Sequence, residues 1–170
     1  QPVSAVPAMS LGCQPIDGGN FLFTDQEMRA FVEAEPNSAA WFKKWVGADE
    51  FINGWHRWFL WLRDCPPNEL KLMPAVLQRI EAVKKFRLES KRPVTRELAL
   101  TPTHFAFENV PQGNYLVVPE VSSERRPYIP IAFRDQETLC SNLVKILPDA
   151  TTYHFGILSS NMHMAWMRHV

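Results

Sequence analysis

Two hydroxyls and two guanidiniums, Ser122, Ser123, Arg125 and Arg126, stand together in the run Val121-Ser122-Ser123-Glu124-Arg125-Arg126. Guanidinium donors pair with phosphates and base edges, and hydroxyls donate to phosphate oxygens. On a rigid, exposed joint, such a set suits a polyanion with readable edges. A second set, Lys84, Lys85, Arg87, Lys91, Arg92 and Arg96, lies along or just past the end of an apolar-faced segment, with Glu89 as the main offset. Cations there also complement a helix dipole. That accounts comfortably for two or three of them and less well for six. For the first set, the plain alternative is a solvated turn with an ordinary Glu/Arg pair.

Other chemistries find less support. The five histidines, His56, His104, His154, His163 and His169, and the three cysteines, Cys13, Cys65 and Cys140, are widely spaced. No pair has metal-ligand spacing, and no signature marks a Cys–His nucleophile with its orienting partner. The chain contains neither GxxxxGK[ST] nor GxGxxG anywhere, so the sequence offers no phosphate or dinucleotide cradle. Asp64-Cys65-Pro66-Pro67 falls short of the Asn/Asp-Pro-Pro-aromatic motif of amino-methyltransferases. Cysteine intervenes, and Asn68 stands where the aromatic belongs. No catalytic residue and no metal ligand is therefore assigned.

The elements that must position the first set are short. Residues 115–118 and 128–132 are rich in β-branched and aromatic residues and read as two strands around the polar joint. Pro119, Pro127 and Pro130 deny backbone donors, which predicts edge strands or bends. Upstream, residues 1–14 read as a linker or extended lead-in segment, and Asp17-Gly18-Gly19-Asn20 as a turn. Thr24 and Glu27 form a capping box for a helix that Pro36 ends. Ser38 caps a second short helix through Lys44. Asn53-Gly54 signals a hairpin. Residues 55–62 follow as a central strand with aromatics on both faces. Pro74 starts a helix to about Ser90, with Val76, Leu77, Ile80, Val83 and Phe86 as its apolar face. Residues 139–147 are strand or helix; periodicity does not decide. Ser160 caps a last helix over 161–170 with Met162, Ala165, Trp166 and Val170 on one side, and no Gly, Asn or Pro stop signal follows it. The sum is an α+β fold, a mixed twisted sheet with flanking helices in a single domain.

Composition sets the bounds. A chain of 170 residues suits one domain with a sizeable core, and 46% hydrophobic with 21% charged residues is ordinary for a globular protein. No apolar run reaches the roughly 18 residues that a membrane span requires. An odd number of scattered cysteines fits a reducing cytoplasm. The formal net charge is zero, but residues 71–134 carry eleven Lys/Arg against six Asp/Glu, a local +5. A local basic face steers a polyanion even on a neutral protein.

The run VSSERRPYIPI resembles the target recognition domain of the MmeI-like DNA methyltransferases, adenine methylases of bacterial single-chain restriction–modification systems. The resemblance extends to PIDGGNFLFTDQE at 15–27, WVGADEFINGWHRWFLWL at 45–62, RIEAVKKFRLESKRPVTREL at 79–98 and LPDATTYHFGILSSNMHMAWMR at 147–168. It covers nearly the whole chain in matching order. It implies that residues 15–170 are the DNA target recognition domain of a larger chain whose catalytic domain binds S-adenosylmethionine, flips an adenine and methylates it. No cofactor is implied within the present residues. By the same resemblance, Ser122, Ser123, Arg125 and Arg126 match the family's SSERR joint, and Lys91, Arg92 and Arg96 its basic SKR–TRE segment. The family more often carries a basic residue where Asn161 stands, and its last helix runs on into a basic, Tyr-containing segment. The competing reading is a protein-interaction module that uses the 119–131 hairpin and the C-terminal helix.

Overall fold

In the computed structural model, residues 6–169 are described. In chain order the strands and helices are β1 (Ser10–Leu11), β2 (Leu22–Phe23), α1 (Asp25–Ala34), β3 (Phe42–Val46), α2 (Ala48–Asn53), β4 (Arg57–Leu60), α3 (Pro67–Leu70), α4 (Pro74–Leu88), α5 (Pro93–Glu97), β5 (Tyr115–Pro119), β6 (Ala132–Arg134), β7 (Thr138–Cys140), β8 (Val144–Pro148), α6 (Thr152–Leu158) and α7 (Asn161–Met167). The fold is α+β. The chain forms two compact units, one of residues 13–45 and 57–108 and the other of residues 6–12, 46–56 and 109–169.

In the unit of 13–45 and 57–108, β4 lies between β2 and β3, antiparallel to both, with Leu22 opposite Phe59 and Lys43 opposite the same residue. The central strand was legible, and its aromatics go into packing. Phe59 meets Trp45 at 5.0 Å and Phe105 at 4.9 Å between ring centroids, and Phe105 meets Trp61 at 4.9 Å. Thr24 and Glu27 complete the expected capping box on α1. The helix expected from Ser38 to Lys44 is instead a 3₁₀ helix, Pro36–Trp41, followed directly by β3. β-branched and aromatic residues at 42–46 outweigh the Ser cap there.

Helix α4 has the expected limits and a different buried face. Val76, Ile80, Val83 and Arg87 are buried, while Leu77 and Phe86 are largely exposed. The Phe86 ring covers Gly18, which has φ +64° and no room for a Cβ, since one would lie 2.8 Å from the ring. The place foreseen for Phe86 goes to Arg87, 1% exposed. Its Nε donates to the Ile16 carbonyl at 2.9 Å, its Nη1 to those of Leu98 and Thr101 at 2.8 and 3.0 Å, and its Nη2 to those of Pro15 and His104 at 2.9 and 2.7 Å. One guanidinium thus satisfies five loop carbonyls, using its fixed fork of donors. Ile16 sits at φ +49°, a strained backbone for a β-branched residue, and its carbonyl is among those held. Burial pulls the Arg87 pKa down, and the Asp17 carboxylate opposes it. At the other end of α4, Met73 offers no side-chain cap. The buried Glu35 carboxylate supplies one, accepting from Ala75 N and Val76 N at 2.9 Å each, as an anion at a helix N-terminus should.

In the other unit β1, β8, β5 and β6 lie side by side in that order, all antiparallel. The end of the extended lead-in segment is therefore an edge strand, paired as Ser10 to Ile146; its first five residues lie outside those described. The core here is Val46, Ala48, Phe51, Tyr115, Val117, Cys140, Val144 and Ile146. The buried Tyr115 hydroxyl donates to the Thr138 carbonyl and lies 3.6 Å from the Cys140 sulfur. Burial pushes the Cys140 thiol up to about 11, against the Tyr115 bond and the Arg134 charge. Asn53-Gly54 does not make a hairpin. It ends α2, with Gly54 as a left-handed cap at φ 75° and its N–H on the Glu50 carbonyl, because the residues before it are helical and Gly serves a C-cap as well as a turn. Residues 139–147 resolve into the strands β7 and β8, and 153–158 lie in helix α6.

Replacing Arg87 by Met should leave the carbonyls of Pro15, Ile16 and His104 without donors, since those of Leu98 and Thr101 also accept from Thr101 N and His104 N, and cost at least about 3 kcal/mol in urea unfolding. Arg87→Lys should rescue little, because one ammonium cannot span the set; an unchanged midpoint for either variant refutes this account. The backbone and side-chain donors of Thr24 hold the Glu27 carboxyl below its ordinary 4.5. A depressed carboxylate stabilises above its unfolded pKa and loses that contribution as pH falls through the native value. The thermal penalty of Glu27→Ala should accordingly shrink from pH 7 to pH 3.

Candidate nucleic-acid interface

The joint is built by what its prolines forbid. Pairing of β5 with β6 stops at Val117 opposite Ala132. The second strand therefore starts at Ala132 and not at Tyr128, since Pro127 and Pro130 cannot donate to a ladder. β5 itself is not an edge; it lies between β8 and β6. Beyond the ladder, the chain closes a turn by Arg126 N donating to the Ser123 carbonyl at 3.0 Å, while the Ser123 hydroxyl accepts from Arg125 N at 3.3 Å. Ser122, Ser123 and Arg125 are exposed and Arg126 is half-buried. The four residues singled out in the sequence are thus brought together on one tight turn.

Helix α7 carries the joint. Ser160 caps it as expected, accepting from His163 N at 3.1 Å. The helix closes at Met167, with the Arg168 N–H on the Met164 carbonyl. Val170, expected on its apolar side, lies outside the described residues. Of the apolar side foreseen there, Met162, Ala165 and Trp166 are exposed, and Met164 is the buried residue. The Met164 sulfur accepts from Ile129 N at 3.4 Å, Tyr128 donates its hydroxyl to the Asn161 side-chain oxygen, and Arg168 Nη2 donates to the Pro127 carbonyl at 2.7 Å. Between joint and helix runs a groove of about 690 Å³. Ser122, Ser123, Glu124 and Arg126 line one side, His163, Met167 and Arg168 the other, over Val118, Ile129 and Ile131. Its polar rim over an apolar floor offers donors to an anion and contact area to a flat or aliphatic group. Sequence reading missed Arg168 and Tyr128 here, because only the fold brings residues 127–129 against 161–168.

Lys91, Arg92 and Arg96 lie in the unit of 13–45 and 57–108, exposed at the start and end of α5. Arg92 N donates to the Ser90 hydroxyl at 3.2 Å, and Arg96 Nη1 to the Ser90 carbonyl at 2.9 Å. The loop is braced and its cations face water. Arg87, counted with them in the sequence, is a core residue. The His154 ring nitrogen accepts from Thr151 N at 3.1 Å as a helix cap. Among the described residues, no group of three or more His, Cys, Asp or Glu could hold a metal ion, and no helix is long and apolar enough to cross a membrane.

The α+β scaffold carries a braced basic segment on one unit and a turn of hydroxyls and guanidiniums on the other, groups whose donors suit an anion. The sequence matches the family described as MmeI, target recognition domain, over residues 1–170, and the chain belongs to that family. It is 39% identical over its whole length to DNA methyltransferase A of Bacillus subtilis (strain 168), of which it covers 19%. It superposes with a TM-score of 0.95 and 47% identity on the type IIL restriction-modification enzyme MmeI, solved in complex with DNA, covering all of this chain and 23% of that one. The chain thus spans about a fifth of the relatives it matches.

Met164→Ala removes one of the three contacts between the joint and the α7 region and should loosen the joint, at a cost of about 2 kcal/mol or more. Trypsin cleavage after Arg125 should quicken in the native protein, whereas the Arg126–Pro127 bond stays intact. Cleavage at the parental rate would show that Met164 does not hold the joint.

Proposed function

We propose that this chain, with residues 15–170 as its recognition domain, reads duplex DNA for a larger S-adenosylmethionine-dependent adenine methyltransferase of a restriction–modification system. The observation that carries the reading is the superposition of the whole chain on MmeI, solved with DNA, at a TM-score of 0.95. The catalytic domain and the methyl donor belong to the rest of the polypeptide, and no residue here is assigned to the transfer step. The setting is the cytoplasm, in keeping with three cysteines that form no disulfide.

In this reading Arg125, exposed at the tip of the turn, and Ser122 meet base edges or phosphates. Arg126 presents its charge from the groove. Ser123 spends one acceptor lone pair on the turn and keeps its O–H for a phosphate. Lys91, Arg92 and Arg96 neutralise phosphates, which contributes affinity without sequence information.

Titrating fluorescent duplex at several salt concentrations tests this. Each phosphate-neutralising cation removed by Lys91→Ala, Arg92→Ala or Arg96→Ala should lower the salt slope by about 0.9, evenly across sequences. Arg125→Ala should cost about 1–3 kcal/mol of discrimination if it reads a base edge. Equal binding by the parent and a variant lacking all five basic residues would end the proposal.

A further inference from the structure

We infer that α7 is a positioning element for the joint, and that the Tyr128–Asn161 and Arg168–Pro127 contacts set the angle at which Ser122 and Arg125 meet a duplex. This rests on the proposed reading that the chain recognises duplex DNA. Pairing between β5 and β6 ends at Val117 and Ala132, so their ladder does not orient the joint. Pro127 and Pro130 remove two further donors. Inside the joint the hydrogen bonds are local, from the N–H groups of Arg125 and Arg126 to Ser123. Among the described residues, the bonds that tie residues 121–131 to another element run to α7 and the residue after it, from Tyr128 to Asn161, from Ile129 to Met164 and from Arg168 to Pro127. Base readout needs its donors held within about 0.5 Å of the productive geometry. A joint fixed by three contacts to one short helix takes its aim from that helix. Tyr128 and Asn161 therefore act through Arg125 and Ser122, not on the DNA.

The test uses the full-length protein that carries this chain, a pool of randomised duplexes, and sequencing of the bound fraction. In Tyr128→Phe, Asn161→Leu and Arg168→Met, preference at one or two base positions should fall about tenfold. For the first two variants, affinity for unselected duplex at low salt should stay within about twofold, because the charges remain. The double variant Tyr128→Phe/Asn161→Leu should be no worse than either single one, as for one shared bond. Asn161→Asp keeps an acceptor oxygen and should keep the parental profile. A parental profile in Tyr128→Phe and Arg168→Met would overturn the inference, as would a uniform loss of affinity with the profile unchanged. A parent that enriches no sequence would overturn the DNA reading beneath it.

Discussion

A single buried guanidinium sets the terms for one half of this fold. Arg87 arrives on a helix, where its position is fixed by the regular backbone, and it gathers carbonyls from residues 15, 16, 98, 101 and 104. These loops have no ladder to enter, and unpaired carbonyls inside a core would be costly. Arg87 ties two irregular segments to the helix, and one of the carbonyls it holds is that of Ile16, at φ +49°. Glu35 does the reciprocal task, bringing an acceptor to the bare N–H groups that open the same helix. Both ends of α4 are thus tied by long-range charged contacts, and the basic segment after it starts from a fixed origin.

The other unit works differently. Its sheet is conventional, with Tyr115, Val117, Val144 and Ile146 buried within it. Its exposed turn lies where the sheet pairing fails, past Val117. There, the chain gives up main-chain order and is held by side chains of α7. This separates the two demands on a recognition module. The scaffold is made of backbone pairing and apolar packing, and the presented surface of side-chain contacts that leave Ser122 and Arg125 toward water.

What the sequence disclosed divides along the same line. Local rules read correctly where local forces decide. The Thr24 capping box, the Ser160 cap, Pro74 at the head of α4 and the central position of β4 are examples. They fail where a distant residue decides. Phe86 has the right spacing for the core, but Gly18 offers it a shelf outside and the loop carbonyls claim the inner position for Arg87. Asn53-Gly54 carries the same two residues whether it turns a hairpin or ends a helix, and only the helical run before it selects the second. Ser122, Ser123, Arg125 and Arg126 were visible as a set because they are contiguous. Their attachment to α7 was not, because Tyr128 and Asn161 are thirty-three residues apart and no periodicity links them.

The prolines of the joint bear on how molecules of this protein meet each other. A four-stranded antiparallel sheet has two rims of unpaired amides, and long, flat rims recruit strands from neighbouring molecules. Here, one rim is β1, two residues long, and the other is β6, three residues long and ending in a charged Arg134. The stretch that would have lengthened β6 is interrupted by Pro127 and Pro130 and bent away toward α7. A sequence such as YIPIAF, which without Pro130 would be a sticky β-segment, is thereby kept from growing sheets between copies. The kink that leaves the turn exposed to water also serves as a gatekeeper against aggregation.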